Sequence, residues 1–411
     1  MSKRVTRPAA VTAILIITAM LASFAHGADQ LWSKVDANDL SFYSLRVTTA
    51  AYPLTNASKV RNVILCIGDG MGLGQITVAS MKVGGPAGKL CIERMPVTGL
   101  IRTYSANSPV TDSAAAGTAL ASGIKTNNGM VSMAPNGQVY QTILEAAKAE
   151  GMATGLVVTS SITDATPAVF ASHVKARTME AAIAEQLIAN RVNVLFGGGR
   201  KFFMPKSDPN SGRKDDRDLI DEARQAGYLY VASRRDLRAI HGPYVLGLFQ
   251  YGGLTTASPE PSLALLTHKA IHVLKKVKGD PADGKPGFFL MVEGSQIDWA
   301  CHQNSVKHTI RQTLLFDQAV QVAVDFALQD GHTLVIVTAD HETGGLTLPE
   351  GAKGSTEPAI HWSSKGHTGS PVPIGALGPG APLFAGMQDN TEIPKKIAQL
   401  LGITPFPRPA K

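Results

Sequence analysis

The stretch Val63-Ile-Leu-Cys-Ile-Gly-Asp69-Gly-Met-Gly72 joins a run of large apolar residues to an aspartate between two glycines. A short apolar run that is rich in β-branched residues and ends at glycine predicts a buried strand of a parallel sheet. The glycines leave the backbone free to bend tightly beside a bulky ligand. The Asp69 carboxylate is therefore a candidate ligand, although a plain Gly-Asp-Gly turn would give the same local pattern.

Two later stretches repeat this arrangement of an apolar strand followed by acidic residues and histidines. In an open α/β sheet, ligands bind outside the carboxyl ends of the strands. Three such ends would bring several carboxylates and imidazoles together, which predicts a polynuclear metal site of the kind that assists phosphoryl transfer. The two stretches are Phe288-Phe-Leu-Met-Val-Glu293, followed by Asp298 and His302, and Leu334-Val-Ile-Val-Thr338, followed by Asp340 and His341.

Each of these patterns has a simpler explanation when it is taken alone. Asp298 and His302 are four residues apart and share a helix face, where they could bind one divalent ion or form a surface ion pair. Asp340 and His341 are adjacent, and they serve either as ligands on one turn or as ordinary polar turn residues. The joint occurrence of the patterns in one chain favours the metal site.

A candidate nucleophile lies in Thr111-Asp-Ser113-Ala-Ala-Ala-Gly117. Ser113 would stand at the start of a helix of small residues, where the helix dipole and unpaired N–H groups favour a phosphate. A serine hydroxyl is a poor nucleophile until its pKa is lowered, and a metal ion can do this. The alternative is that Thr111, Asp112 or Ser113 only caps the helix.

The rest of the chain alternates between strand and helix patterns, which is typical of parallel βαβ units. We predict an α/β fold of three layers, with a mostly parallel central sheet and helices on both faces. Gly, Pro and Ser crowd residues Pro349–Pro382, which we predict to be loops over the sheet. The predicted strands are Asn62–Ile67, Thr154–Thr159, Val192–Phe196, Phe288–Val292 and Leu334–Thr338, and the predicted helices are Ser113–Gly123, Gln141–Glu150, Met179–Asn190, Asp218–Ala226, Thr267–Lys276 and Thr309–Leu328.

The N-terminus has the pattern of an export signal. Basic residues precede an apolar run from Ala9 to Phe24, and Ala25-His-Gly27 supplies small residues at the positions that a signal peptidase recognises. The run is shorter than the ~20 residues of a typical spanning helix. We expect a signal peptide at 1–27, a single domain at 28–411, a periplasmic or secreted location and no stable membrane anchor after processing. An uncleaved anchor is the alternative.

The charge of the chain is mildly positive, at +7 for the full sequence. Basic residues are scattered, and only Lys275-Lys276 and the region 201–238 are locally basic. A nucleic-acid-binding protein would concentrate its charge and interleave aromatic residues, so we expect no nucleic-acid partner. A cationic surface should nonetheless steer small anionic substrates towards the protein.

The cysteine count is three, so at least one thiol is free or pairs between chains. Cys66 lies inside a predicted strand, where a buried free thiol is expected. Cys301 is next to His302, and a metal thiolate is conceivable there. Metals that assist phosphoryl transfer prefer shells rich in oxygen and nitrogen, which argues against it.

Together these motifs resemble the alkaline phosphatase family, the metal-dependent phosphomonoesterases of bacterial periplasms and animal cell surfaces. The resemblance extends from about Arg61 to the last loop and is interrupted mainly at 200–261. It implies hydrolysis of phosphate monoesters through a phosphoserine, with two Zn²⁺ and one Mg²⁺ per subunit, and often a homodimer. The motifs that carry it are Val110-Thr-Asp-Ser113-Ala-Ala, Val292-Glu-Gly-Ser-Gln-Ile-Asp298 and Thr338-Ala-Asp340-His341.

The resemblance also implies a role for individual residues. Ser113 is similar to the serine that becomes phosphorylated, and Arg177 to the arginine that clamps the phosphate, a task suited to a two-pronged donor. His367, in Gly366-His-Thr-Gly369, is identified by the resemblance only, and its alternative is a loop histidine. The implied ligands are Asp298, His302 and His367 for the first zinc, Asp69, Asp340 and His341 for the second, and Asp69, Thr166 and Glu293 for magnesium, with Asp164 holding the waters of that metal.

Trp299 departs from part of the family. Some bacterial members have a lysine at this substrate-binding position, which reaches the phosphate through water, and others have tryptophan or histidine. The difference bears on phosphate affinity and on the preference for the third metal, and it leaves the reaction itself unchanged. A second interpretation is that Trp299 only packs over the helix that carries zinc ligands.

Other functions remain as alternatives. A phosphodiesterase of the same superfamily commonly uses a threonine nucleophile and lacks the third-metal ligands, which contrasts with Ser113, Thr166 and Glu293. A periplasmic module that only binds metal or phosphate would need no nucleophile beside its metal ligands. A cytosolic phosphomutase is disfavoured by the signal peptide.

Overall fold

The computed structural model of the protein describes residues 31–45, 51–54, 59–278, 287–351 and 359–410. The predicted signal peptide at 1–27 lies outside the described residues. Within them, no helix combines the length and the apolar composition that crossing a bilayer requires. The strands of this part of the chain are β1 (Asn62–Gly68), β2 (Val97–Arg102), β3 (Ala153–Ser161), β4 (Val194–Gly198), β5 (Leu229–Val231), β6 (Val245–Leu248), β7 (Phe288–Gly294), β8 (Thr333–Thr338), β9 (Glu342–Thr343), β10 (Leu346–Thr347), β11 (His361–Trp362), β12 (His367–Thr368), β13 (Val372–Leu377) and β14 (Gly386–Asp389).

Ten of these strands form one central sheet in the order β14-β2-β13-β8-β1-β7-β3-β4-β6-β5. All neighbouring pairs are parallel except those of β13, which runs antiparallel to both β8 and β2. Every residue of β1 and β7 is buried. A parallel strand that is covered on both faces needs a continuous apolar run, which is why these segments could be recognised in the sequence.

Helices cover both faces of the sheet, so the predicted three-layer α/β fold is confirmed. The helices are α1 (Leu73–Gly84), α2 (Ser113–Ser122), α3 (Ile143–Ala149), α4 (Ala165–Ala171), α5 (Glu180–Ala189), α6 (Leu219–Gln225), α7 (Leu263–Lys278), α8 (Gln296–His302), α9 (Val306–Asp330) and α10 (Glu392–Leu401). On one face α1 and α7 both pack on α9, and α7 and α9 contact the central strands. On the other face α2, α3, α4 and α10 form a second group, in which α3 and α4 contact β3.

The register of the three central strands aligns their carboxyl ends. Ile67 of β1 pairs with Glu293 of β7 on one side and with Thr338 of β8 on the other. The residues that follow β1 and β8 therefore emerge at the same edge of the sheet, next to the end of β7.

The prediction that Pro349–Pro382 forms only loops is wrong, because it contains β13, a central strand. Pro373 and Gly375 weakened the strand pattern of this segment. Pro373 is tolerated because pairing with β8 begins one residue later, at Ile374. Gly375 is needed because a Cβ there would lie 2.8 Å from Met95 Cγ. The edge strand β14 and its neighbour β2 were also not predicted.

The segment 31–45, which we call the N-terminal arm, packs on α8 and α9. The indole N–H of Trp32 donates to Gln296 Oε1 at 2.9 Å, and its ring stacks on His308 with centroids 4.5 Å apart. Further along, the Tyr43 hydroxyl donates to Asp317 Oδ2 at 2.7 Å. The arm is thus attached at two points to consecutive helices.

Candidate active site

One cluster of ligand atoms forms where β1 and β8 end. Asp69 follows β1 directly, and Asp340 and His341 follow β8. His341 Nε2 lies 3.2 Å from Asp340 Oδ2 and 3.5 Å from Asp69 Oδ1. One ligand atom from each of the three residues falls within 4.8 Å of the others. The arrangement predicted from the strand ends therefore has the dimensions of a metal-ligand set.

The carboxylates of this cluster have oxygens without hydrogen-bond donors. Asp340 Oδ1 accepts from the backbone N–H groups of Gly70 at 3.1 Å and His341 at 2.8 Å. Asp340 Oδ2 and Asp69 Oδ1 are buried and accept no hydrogen bond from any described residue. Burial, reinforced by the neighbouring carboxylates of Asp340 and Asp298, raises the pKa of Asp69 well above its usual range. A cation between these oxygens would compensate their charge, so the donor set fits a metal ion.

A second cluster combines α8 with β12. Asp298 and His302 lie one turn apart on α8, with His302 Nε2 3.2 Å from Asp298 Oδ2. His367 Nε2 lies 3.5 Å from Asp298 Oδ1 and 3.2 Å from His302 Nε2. His367, which could not be identified from spacing, is therefore brought to the two α8 residues by β12.

The orientation of the two imidazoles points to a cation between them. His302 Nδ1 lies 2.5 Å from the carbonyl oxygen of Lys365, and His367 Nδ1 lies 2.9 Å from that of Thr111. A carbonyl oxygen only accepts, so each Nδ1 carries the hydrogen and each neutral ring presents Nε2 as an acceptor. The two Nε2 atoms and the Asp298 carboxylate therefore face one another at short range. Burial lowers the pKa of His302, but the Asp298 carboxylate outweighs this effect and raises that pKa to about 9. A metal cation held between these atoms would take the place of the proton.

The two clusters share His341 and a threonine. The rings of His341 and His367 stack with centroids 3.6 Å apart, and both imidazoles group with Asp298 as a further potential metal set. Thr343 Oγ1 donates to Asp298 Oδ1 at 2.5 Å and lies 3.2 Å from His341 Nδ1. Thr343 was not predicted from the sequence, although its position two residues after His341 would place it on the same side of a strand.

An oxygen-rich group lies beside the first cluster. Thr166 and Ser295 both donate hydrogen bonds to the buried carboxylate of Glu293. Burial and the nearby carboxylate of Asp164 raise the pKa of Glu293 to about 8, despite those hydrogen bonds. Asp164 and Thr166 begin α4, just beyond the carboxyl end of β3. Hydroxyl and carboxylate oxygens without imidazole are the donors that Mg²⁺ prefers.

Ser113 lies at the first position of α2 and faces the clusters. Its Oγ is 3.2 Å from His341 Nε2. The N-cap of the helix is Asp112, whose Oδ1 accepts from the Ala115 N–H at 2.9 Å, so capping does not occupy the Ser113 hydroxyl. This leaves the hydroxyl at a helix N-terminus, beside the imidazole shared by both metal-ligand sets.

Arg177 is held beside Ser113 by two carboxylates. Its Nη2 donates to Asp164 Oδ1 at 2.9 Å, while Nη1 lies 3.4 Å from Asp112 Oδ2 and 3.5 Å from Ser113 Oγ. The acidic partners fix the plane of the guanidinium. Asp112, which sequence analysis considered only as a cap, therefore orients both the serine helix and this arginine.

Trp299 and Cys301 also lie on α8, between Asp298 and His302 in the sequence. The Trp299 ring packs against Gly253, where a Cβ would lie 2.7 Å from its Cη2, and it joins the small apolar cluster that includes Trp32. The Cys301 thiol contacts Gln75 and Thr309, and it belongs to neither metal-ligand group of the described residues. Cys66, Cys91 and Cys301 are all free and buried.

The sequence of this chain is similar to a known protein family over most of its length. Its sequence matches the profile of the alkaline phosphatase family over residues 60–356 and 349–403. The chain belongs to this family. It is 35% identical to alkaline phosphatase 4 of Bacillus subtilis (strain 168) over 84% of this chain and 89% of that protein. It is 36% identical to streptomycin-6-phosphate phosphatase of Streptomyces griseus over 84% of this chain and 91% of that protein.

Solved alkaline phosphatases have the same fold. The enzyme of the Antarctic bacterium TAB5 superimposes with a TM-score of 0.76 at 34% identity, over 84% of this chain and all of that one. The enzyme of Thermus thermophilus superimposes with a TM-score of 0.75 at 26% identity, over 86% of this chain and 94% of that one. A variant of the TAB5 enzyme has magnesium bound in its M3 site. This chain is thus an alkaline phosphatase, a phosphomonoesterase whose described residues include two groups that could hold a metal ion.

Proposed function

We propose that this alkaline phosphatase is an exported, metal-dependent enzyme that hydrolyses phosphate monoesters through a phosphoserine at Ser113. The position of Ser113 Oγ carries the proposal, since it lies 3.2 Å from His341 Nε2 and 3.5 Å from Arg177 Nη1 at a helix N-terminus. Export rests on the signal-peptide pattern of residues 1–27. The mature chain, 28–411, would be a single periplasmic or secreted domain, and we expect it to form a homodimer.

The metal requirement rests on the three donor sets described above. The imidazole-containing sets suit zinc, and the set without imidazole suits magnesium. Bound metals would supply Lewis-acid chemistry, lowering the pKa of hydroxyl and water nucleophiles and stabilising negative charge on the phosphoryl and leaving oxygens. The proposed ligands are Asp298, His302 and His367 for one Zn²⁺, Asp69, Asp340 and His341 for the other, and Asp69, Thr166 and Glu293, with Asp164 nearby, for one Mg²⁺.

The residues of the chain position and attack the phosphate. Arg177 holds non-bridging oxygens with its planar fork, and the N-terminus of α2 favours their negative charge. Ser113 Oγ attacks phosphorus, the bond from phosphorus to the alcohol oxygen breaks, and the alcohol leaves with a proton. Water then attacks the phosphoserine in line and releases inorganic phosphate, which restores the Ser113 hydroxyl.

The nucleophile is tested by Ser113→Ala, which should lower turnover of p-nitrophenyl phosphate by about 10³-fold or more. Acid quenching of the wild-type enzyme with labelled phosphate should place the label on Ser113, as shown by peptide mapping. Ser122→Ala is a matched control, because it removes a buried serine hydroxyl from the other end of the same helix. Label on another residue, or near-normal turnover of the Ser113 variant, would contradict the covalent route.

The metal requirement is tested by dialysis against a strong chelator. Activity should disappear, and zinc together with magnesium should restore it better than either ion alone, because the donor sets differ in chemistry. The ratio of monoester to diester hydrolysis, measured on the restored enzyme, should favour the monoester strongly. Full activity in metal-free protein would refute the metal requirement.

A further inference from the structure

Glu342 is a buried carboxylate next to the metal-ligand clusters that belongs to neither of them. It is the first residue of β9 and directly follows His341, but the metal-ligand groups of the described residues do not include it. A buried carboxylate is costly unless hydrogen bonds or opposite charges compensate it. The groups that compensate it therefore show which parts of the chain it connects.

Neutral donors surround this carboxylate. Its Oε1 accepts from Gln75 Nε2 at 2.8 Å and from the Leu346 N–H at 3.3 Å. Its Oε2 accepts from the Gly345 N–H at 3.1 Å and from the Thr368 hydroxyl. These donors come from α1, from β10 and the turn before it, and from β12. The Glu342 side chain therefore connects three separate segments of the chain.

The backbone alone holds β12, the strand of His367, only weakly. Among the described residues β12 pairs with β9, His367 opposite Thr343 and Thr368 opposite Glu342, and this pair is separate from the ten-stranded sheet. An isolated pair of strands is at best marginally stable. The hydrogen bond from the Thr368 hydroxyl to Glu342 adds a side-chain link at the residue next to His367.

Gln75 extends this connection to two further segments that carry proposed ligands. Its side chain is buried, and its Oε1 accepts from the Gly72 N–H at 3.1 Å, in the turn between β1 and α1. Its Nε2 also donates to the carbonyl oxygen of Thr343 at 2.8 Å and lies 3.6 Å from Sγ of Cys301, the neighbour of His302 on α8. One amide thus contacts the turn after β1, β9 and α8.

The close packing of these segments explains the glycine that ends the stretch Val63–Gly72. A Cβ at Gly72 would lie 2.4 Å from Glu342 Cγ. The φ of Gly72 is −89°, which any residue can adopt, so glycine is needed there for space and not for conformation. A larger residue at this position would displace Glu342 from Gln75 and Thr368.

We propose that Glu342 and Gln75 are positioning residues for the zinc set that contains His367. The proposal rests on the proposed function, because it concerns the metal ligands named there. The carboxylates of the other zinc set follow β1 and β8, so the central sheet itself holds them. His367 lies on a two-residue strand, and Glu342 fixes that strand to α1 through Thr368 and Gln75. Loss of this link therefore weakens the binding of one zinc ion and leaves the other unchanged.

The test removes a single hydroxyl from this link. Thr368→Val keeps the shape of the side chain but cannot donate to Glu342, whereas Thr368→Ser keeps the donor. The affinity of the holoenzyme for each zinc ion is measured by competition with a chromogenic chelator at one fixed magnesium concentration. In Thr368→Val one zinc ion should bind about tenfold more weakly, at the low end of the range for groups that orient a metal ligand. Thr368→Ser should bind both ions as the wild type does.

A second variant and a control separate positioning from general stability. Gln75→Met removes the amide at the other end of the link with little change in volume, and it should weaken the same zinc ion. Because both changes act through Glu342, their effects on zinc affinity should be less than additive in the double variant. Thr267→Val is the control, since it removes a buried hydroxyl of α7 that donates to the Leu263 carbonyl oxygen at 2.8 Å, and it should leave both affinities unchanged.

Turnover supplies an independent readout. At limiting zinc, hydrolysis of p-nitrophenyl phosphate by Thr368→Val should be slower than that by the wild type. Excess zinc should restore it, because every proposed ligand is still present. A loss of folded protein would not be reversed by added zinc in this way.

Three results would overturn the proposal. These are wild-type affinity for both zinc ions in Thr368→Val, equal weakening of the two ions, or an equal loss of zinc affinity in Thr267→Val. Failure of the proposed function is recognised separately, because the wild-type enzyme itself would then bind no zinc, and this proposal would fail with it.

Discussion

The attachment of the N-terminal arm to α8 can be tested with Trp32→Phe. Trp32 is 3% exposed, and its indole N–H donates to Gln296 Oε1, at the first residue of the helix that carries Asp298 and His302. A phenyl ring retains most of the apolar contact but has no donor. Gln296 cannot re-pair by rotating its amide, because Nε2 already donates to the carbonyl oxygens of Thr159 and Leu254.

The expected loss of stability follows from these contacts. An unpaired buried acceptor costs about 1–3 kcal/mol, and weaker stacking on His308 costs up to ~1 kcal/mol more. We therefore expect the free energy of unfolding to fall by about 1–4 kcal/mol. Tyr43→Phe is the matched control at the other attachment point. It should cost only about 1 kcal/mol, because Asp317 Oδ2 still accepts a hydrogen bond from the Cys91 N–H at 3.1 Å.

The assay is urea unfolding followed by circular dichroism at one fixed concentration of zinc and magnesium, because bound metals change apparent stability. Release of zinc to a chromogenic chelator, measured in native buffer, should be faster in Trp32→Phe than in Tyr43→Phe, since only the first change frees the start of α8. Equal stability losses and equal rates of zinc release in the two variants would refute the idea that the Trp32 contact stabilises α8.

Three further changes have distinct expected outcomes. Arg177→Ala removes charge-assisted hydrogen bonds worth about 1.5–3 kcal/mol each, so KM and the inhibition constant for phosphate should both rise at least tenfold while zinc content, measured by atomic absorption, stays unchanged. Trp299→Lys should tighten phosphate inhibition and lower turnover at alkaline pH, because it adds a cation next to the ligand helix; loss of metal or stability without tighter inhibition would support a packing role alone. Burial raises the pKa of Asp317 to about 6 against about 3.9 when unfolded, so ionisation opposes folding, and wild-type stability should fall by roughly 2 kcal/mol from pH 4 to 6 relative to Asp317→Asn; parallel stability curves from urea titrations at each pH would contradict this.

The sequence predicted the parts of the fold and site that depend on local pattern. The runs of β1, β7 and β8 are apolar throughout because both of their faces are covered, and their ends carry Asp69, Glu293 and Asp340. Because ligands bind outside the carboxyl ends of parallel strands, these residues are predicted to converge, and two groups of potential ligand atoms do lie at that edge of the sheet.

Other features depend on packing that local pattern does not contain. β13 was not predicted because a glycine and a proline, Gly375 and Pro373, both argue against a strand. The folded structure explains both residues: a side chain at 375 would collide with Met95, and Pro373 lies one residue before the pairing with β8 begins. Thr343 bridges Asp298 and His341 only after α8 and β9 meet. His367 and Arg177 were indicated by family resemblance alone, since a lone loop histidine and a lone arginine carry no spacing signal.

The position of β1 in the middle of the sheet has a consequence for how a newly made chain matures. Its two partners, β7 and β8, follow more than 200 residues later, which at ~5–20 residues per second of synthesis is a delay of roughly 10–55 s. During that time a strand that is apolar from Val63 to Ile67 has two unpaired edges, and such edges can template aggregation. We expect the nascent polypeptide to depend on a holding chaperone until β8 is complete. The same delay is protective under the proposed function, because a chain that has not yet reached His367 lacks one of the proposed zinc ligands.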